Sequence, residues 1–250
     1  MEKNKTSLGH DFLKMLGRTK LRPGGGVITN WLLEKAQIKK DFKVLEVACN
    51  QGDNLIRIYT DFACHIQGVD MGQTEIEQCK SNLKALDLDE EIKVEQMDAR
   101  NLKFLDESFD VIINEAMLTM LSDADKNKAL KEYHRVLKKG GLLLTHDVAL
   151  DEDNTEAKRR VSKMVNASVS PMGAGAWKNL FESNGFEILD MKTGPFLLLD
   201  KTTIIKDEGP IRAAAFFKKA MQDEYRQRFL MMKKMQEENM NYIALFARKK

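Results

Sequence analysis

Cysteine is scarce in this chain: Cys49, Cys64 and Cys79 are the only three in 250 residues. Their odd number and wide spacing exclude a CxxC site and imply reduced, mostly buried thiols in a reducing compartment, so no metal site is expected. No apolar run approaches the roughly 20 residues that a membrane-spanning helix needs. The opening segment, MEKNKTSLGHDFLKML, has no long apolar core of the signal-peptide kind. A cytoplasmic protein without membrane insertion is the expectation. An excess of charge is missing too. Forty basic and 38 acidic residues leave a net charge of +2, so no global field demands a nucleic acid or an anionic membrane, and no nucleic-acid partner is expected.

With 43% apolar and 31% charged residues, the chain is long enough for one sizeable core. Its organising stretch is Lys43 to Asp53. Val44, Leu45 and Val47 form the short apolar run of a buried parallel strand, and a polar turn follows at once. Glu46 interrupts that run, and a buried carboxylate is costly unless a donor or a cation meets it. Asn50, Gln51 and Gly52 end the strand. Asp53 can cap a helix starting near Asn54, which makes strand, tight loop and helix N-terminus a possible ligand cradle. A second strand ends at Asp70, 24 residues past Glu46. In nucleotide-binding folds an acid about 20 residues on, at the end of the second strand, takes the ribose hydroxyls.

The segment Glu46 to Gly52, Glu-Val-Ala-Cys-Asn-Gln-Gly, resembles the first motif of class I S-adenosylmethionine-dependent methyltransferases, an acid followed by Gly-x-Gly-x-Gly. Ala48 and Asn50 stand where that family usually has its first two glycines, and Gly52 is kept. Downstream, the stretch around Phe109-Asp110, the run Arg135-Val-Leu-Lys-Lys-Gly-Gly-Leu-Leu-Leu and the Trp177-x-x-Leu-Phe pattern also resemble the family, in its small-molecule members. The resemblance covers roughly residues 42–192, with Tyr242 to Ala247 as a closing strand. It implies a Rossmann-like, doubly wound α/β sheet of about seven strands, mostly parallel with an antiparallel last strand. It also implies S-adenosylmethionine as cofactor, S-adenosylhomocysteine as product and a small-molecule methyl acceptor. Glu46 then neighbours the methionine end above the loop Ala48, Asn50, Gln51 and Gly52. Asp70 with Met71 serves the ribose, and Asp98 with Ala99 serves the adenine. Asn114 and Glu115 stand where cofactor and acceptor meet.

Two segments lie outside that match. Residues 1–42 read as an N-terminal helical cap, with a helix over residues 8–21. Its Arg22-Pro23-Gly24-Gly25-Gly26 is open to two readings: a ligand cradle in which Arg22 meets a carboxylate, or a flexible connector. Residues 43–250 form the cofactor-binding domain, with a helical insertion at about 200–240. Phe217, Met221, Tyr225, Phe229, Met232 and Met235 fall at helical spacing, which predicts one long helix over 210–238. Its apolar stripe suits core packing, a homodimer contact, or a pocket for an apolar substrate.

Catalysis, if it needs a base, points to His146 and Glu115 at the strand ends. Two other functions share much of this pattern. An NAD(P)-dependent oxidoreductase needs the dinucleotide glycines, and its pyrophosphate would meet Asp53 at the helix N-terminus. A non-catalytic S-adenosylmethionine-binding protein differs only in turnover.

Overall fold

The computed structural model describes residues 9–151, 155–165, 169–236 and 240–250. Residues 1–8 of the expected cap, including Leu8, and residues 237–238 of the expected long helix lie outside the described residues, as does the side chain of Met235.

The apolar run of β1 (Lys43–Val47) is buried at every position after Lys43, which suits a central strand. It lies between β2 (His65–Asp70) and β4 (Phe109–Glu115), parallel to both. Parallel strands β3 (Lys93–Gln96) and β5 (Leu137–Leu150) continue the sheet on either side. On the far flank β8 (Met240–Lys249) runs antiparallel between β5 and the edge strand β7 (Phe186–Pro195). The order is β3-β2-β1-β4-β5-β8-β7, with the two-residue β6 (Met172–Gly173) pairing at the end of β5. This is the doubly wound sheet with an antiparallel last strand that the sequence predicts. The chain reverses direction across the sheet between β1 and β4, and ligands of open α/β sheets bind at such a switch point.

Alternation along the strands supplies two cores. Val44, Ile66, Val111, Ile113 and Leu144 face the helices α2 (Gly26–Ala36), α3 (Asp53–Phe62) and α4 (Gln73–Lys84). Leu45, Ile112, Leu143 and Leu245 face α5 (Asp123–Val136) and α7 (Ala174–Ser183), where Tyr133, Trp177 and Phe181 are fully buried. Helix α5 stops at Val136. Leu137 is already extended, and left-handed Gly140 bends the lead-in of β5, where the register to β4 shifts.

A third core lies beyond the carboxyl ends of the strands. There α1 (Gly9–Leu16) meets α6 (Thr155–Val165), α8 (Lys201–Glu208), α9 (Pro210–Ala220) and α10 (Asp223–Gln236) around Phe12, Leu16, Val161, Phe216, Phe229 and Met232. Cap and insertion together are a lid with its own interior. Two sequence expectations are corrected here. The helix over 8–21 ends at Leu16, because Gly17 takes a left-handed φ of 110° and Arg18 N–H turns back to Leu13 O. The single helix over 210–238 is two helices. The first closes at Ala220, and Asp223 and Glu224 begin the next, where acids suit the N-terminal dipole. Met221 consequently leaves the apolar stripe for solvent, while Phe229 and Met232 stay inside the lid. No helix among the described residues is long and apolar enough to cross a membrane.

The glycines of the cap are neither a flexible connector nor a ligand approach. A Cβ on Gly24 would stand 2.8 Å from the Tyr242 ring, and one on left-handed Gly25 would stand 2.6 Å from Thr203 Cγ2. They let the cap backbone lie directly on β8 and α8. The same seam is held by charge. Arg18, 1% exposed, sits 3.3 Å from Glu208 and 3.7 Å from Asp207, while Thr19 and Lys20 N–H groups donate to Glu208 and Gly26 N–H donates to Asp207. Arg18→Met should lower the unfolding free energy by about 3 kcal/mol, the low end for breaking a buried pair, because those N–H groups still serve the carboxylates. Urea denaturation reads this, and an unchanged midpoint would show that the pair does not hold the lid.

Candidate functional site

The loop after β1 must turn within a few residues to start α3. Ala48 (φ 62°) and Asn50 (φ 50°) take the left-handed backbone that glycine accepts freely, at about 1–2 kcal/mol each for a residue with a side chain. Hydrogen bonds hold the turn: Cys49 N–H to Val69 O (3.0 Å), Asn50 N–H to Asp70 Oδ2 (2.9 Å) and Gly52 N–H to Cys49 O (2.9 Å). Gly52 (φ 86°) has no alternative, since a Cβ there would stand 2.6 Å from Cys79 Sγ. The retained glycine is thus the one that both backbone and space require. It also takes the N-cap place expected of Asp53, which becomes the first residue of α3.

Carboxylates gather at the neighbouring strand ends. Asp70 accepts from Asn50 N–H and, through Oδ1, from Gly72 N–H at 2.8 Å. Asp98 is gripped by Arg100, with Nη2 to Oδ2 at 2.6 Å and Nε to Oδ1 at 2.9 Å, and that hydrogen bonding holds its carboxyl below the usual range. Met71, Met97 and Ala99 stand beside these acids on the cavity wall.

A buried polar cluster lies at the switch point itself. Glu46 on β1 and Glu115 on β4 share one donor: Asn54 Nδ2 lies 2.9 Å from Glu46 Oε1 and 2.8 Å from Glu115 Oε2. Arg22 of the cap fixes the arrangement, donating through Nη2 to Asn54 Oδ1 and through Nε to Glu115 Oε2 at 3.0 Å. Glu115 Oε1 receives Thr29 Oγ1 at 2.5 Å and His146 Nδ1 at 3.1 Å. The two acids respond oppositely. Burial pushes the Glu46 carboxyl well above the ordinary range, and its Oε2 has no partner among the described residues. Burial also works upward on Glu115, but the Arg22 charge and the His146 and Thr29 hydrogen bonds outweigh it and hold Glu115 far below that range.

Two expected site residues are corrected. His146 is fully buried and lies off the cavity wall, with both ring nitrogens engaged: Nδ1 donates to Glu115 and Nε2 accepts Gly24 N–H at 2.9 Å. It ties the cap to β5 and has no lone pair free to take a substrate proton. Asn114 is also fully buried and off the wall, because its place on β4 turns it to the opposite face, where Nδ2 donates to Thr145 Oγ1 at 2.9 Å. Arg22 does line the cavity, yet the carboxylate it meets is Glu115.

These residues border one continuous cavity of about 500 Å³, within the range of small-molecule sites. Glu46, Ala48, Asn50, Gln51, Asp70, Met71, Asp98 and Ala99 line one end. The other end is apolar, built by Leu13 and Leu21 of the cap, Met117 and Met120 after β4, Val148, Phe196 and Met232. Asn54 and the apolar wall outside the insertion carried no motif. Asn54 was legible only as the polar second residue of a helix that starts beside a buried acid. Among the described residues, no group of three His, Cys, Asp or Glu side chains is placed to hold a metal ion.

Comparison with known proteins bears on this geometry. A protein of Haemophilus influenzae whose role is uncharacterized is 42% identical over 249 residues, covering 98% of this chain and 99% of that one. The (+)-O-methylkolavelool synthase of Herpetosiphon aurantiacus is 22% identical, over 89% of this chain and 79% of that one. Among solved structures, that of the MccD protein superposes with a TM-score of 0.74 at 17% identity, over 92% of this chain and all of that one. A family model described as a methyltransferase domain matches residues 38–194. That match takes in β1 to β7 and the acidic strand ends, and the chain belongs to the class I methyltransferase family.

Proposed function

We propose that this methyltransferase uses S-adenosylmethionine and that its acceptor is a largely apolar small molecule. The observation that carries this reading is the single cavity, acidic at the strand ends and apolar under the lid. A cofactor bearing an ammonium and a sulfonium suits the acidic end. Glu46 Oε2 is a buried acceptor without a donor, an arrangement that costs about 1–3 kcal/mol until a donor arrives. The methionine ammonium would be that donor. Asp70 would accept from the ribose hydroxyls beside Met71, and Asp98 with Ala99 would meet the adenine edge. The backbone from Ala48 to Gly52 would cradle the middle of the molecule. A dinucleotide fits less well, since its pyrophosphate would face Asp53 in the first turn of α3.

When bound, S-adenosylmethionine supplies a methyl group already activated by positive sulfur. The protein's part is then alignment and exclusion of water. The lid closes the apolar end, and Arg22 locks the cap onto Glu115 above the switch point. Glu115 touches the cavity but is saturated by Arg22, Asn54, Thr29 and His146 and held weakly basic. It positions the roof and leaves proton removal to an acceptor that ionises readily in water. The apolar end agrees with a relative named for an O-methylated product.

Incubation with S-adenosylmethionine and a panel of phenols, enols and quinols should yield S-adenosylhomocysteine together with an acceptor that has gained one methyl group, read by mass spectrometry. Tight cofactor binding without product for any acceptor, including those of a cell extract, would favour the non-catalytic reading.

Cofactor affinity should depend on pH through Glu46, which faces Glu115, Arg22 and Cys79. Its carboxyl is raised, so at pH below that raised value it holds a proton that an incoming ammonium must displace. Affinity for S-adenosylhomocysteine should therefore rise with pH through the raised value, with proton release on binding, and then level off. Calorimetry in two buffers of different ionisation enthalpy reads the proton, and Glu46→Gln should flatten the profile. A flat wild-type profile would remove Glu46 from the ammonium.

A further inference from the structure

The apolar end of the cavity is interrupted by one amide. Gln236 closes α10, is 6% exposed and lines the cavity among Phe196, Leu198, Leu199, Met232 and Met240. Its orientation is fixed by chemistry. Leu199 N–H donates to the side chain at 3.0 Å, and only the carbonyl oxygen of an amide accepts, so Oε1 faces Leu199 and the NH2 group is turned away. That NH2 has no acceptor among the described residues, and it is not among the buried atoms closed off from space. A ligand that fills this end displaces the water such a donor would otherwise meet, and the loss is costly unless the ligand brings an oxygen to it.

The surroundings say which oxygen. Each cation on the cavity wall already has a partner: Lys14 with Glu75, Lys20 with Asp207 O, and Arg22 with Glu115. His10 stands 3.3 Å from Asp11. A phosphate or carboxylate pushed under the lid would be desolvated where Lys14 and Arg22 are already paired with carboxylates and Lys20 is held by a backbone carbonyl, whereas a neutral carbonyl needs only the amide donor. We infer that Gln236 selects the acceptor, donating its NH2 hydrogen bond to a neutral carbonyl-type oxygen on an otherwise apolar molecule. This rests on the reading of the apolar end as the acceptor site.

The test uses ketone and hydrocarbon pairs matched in frame, with one, two and three fused rings, such as 1-tetralone against tetralin. A purely apolar pocket prefers the hydrocarbon, since the ketone must leave its water hydrogen bonds behind. Equilibrium dialysis at pH 8 with the full-length protein should therefore rank at least one ketone above its hydrocarbon. Gln236→Met has no donor, so it should reverse that rank with a loss of about tenfold in ketone affinity. Gln236→Leu serves the same purpose if the longer thioether fills the space the ketone needs. The proposal is overturned if no ketone outranks its hydrocarbon in the wild type, including the case where none binds, or if the variants keep the preference. S-adenosylhomocysteine binding, measured on the same samples, should be equal in all of them. Its absence from the wild type would sink the cofactor reading while leaving the ketone ranking to judge Gln236.

Discussion

The buried carboxylate of Glu115 needs a cation, and meeting that need shapes the molecule. An uncompensated charge at this depth would cost several kcal/mol. The strand that carries Glu115 cannot supply a counter-ion, so the cap does: Arg22 reaches across the strand ends and brings Gly24 and Thr29 with it. Once the cap is pinned there, its glycines press on Tyr242 and Thr203 and its acid-bound seam joins α8. The insertion then closes on the cap around Phe12, Phe216 and Phe229. The lid's core and the two cores of the sheet thus meet across the cavity, with the Arg22–Glu115 pair at the switch point.

The same cluster divides labour between two acids that one amide bridges. Glu115 receives the cation and stays ionised, while Glu46 receives only Asn54 and is pushed toward its neutral form. A protein that placed two fixed carboxylates here would repel itself. One fixed and one responsive carboxyl gives a site that is stable when empty and becomes more acidic as a cationic ligand arrives. His146 belongs to this scaffold, with both ring nitrogens engaged in it.

Much of the sheet was legible because short apolar runs, the acids Glu46, Asp70, Asp98 and Glu115 near strand ends and glycine turns are local signals. The 24-residue step from Glu46 to Asp70 reads in one dimension what the fold does in three. The loop was harder: missing glycines at 48 and 50 look like a lost motif, yet Ala48 and Asn50 adopt the same backbone, held by Asp70 and Val69. Backbone strain paid off by tertiary hydrogen bonds leaves no mark in the sequence. His146 misled for a related reason, since a histidine beside a strand end looks like a base until Gly24 N–H is seen on its Nε2. The lid was legible only as an amphipathic stripe. Where that stripe breaks, at Met221, and which residues it turns toward the cavity depend on contacts with α1 and α6 far away in the chain.

The central claim is that the acidic strand ends hold S-adenosylmethionine and leave the apolar end free beneath the lid. A crystal structure of the complex with S-adenosylhomocysteine tests it most directly. The account predicts density for the amino group at Glu46, the ribose at Asp70 and the adenine near Asp98, with the space lined by Met232 and Gln236 still open. Density for the nucleoside under the lid, or the methionine end turned away from Glu46, would contradict it.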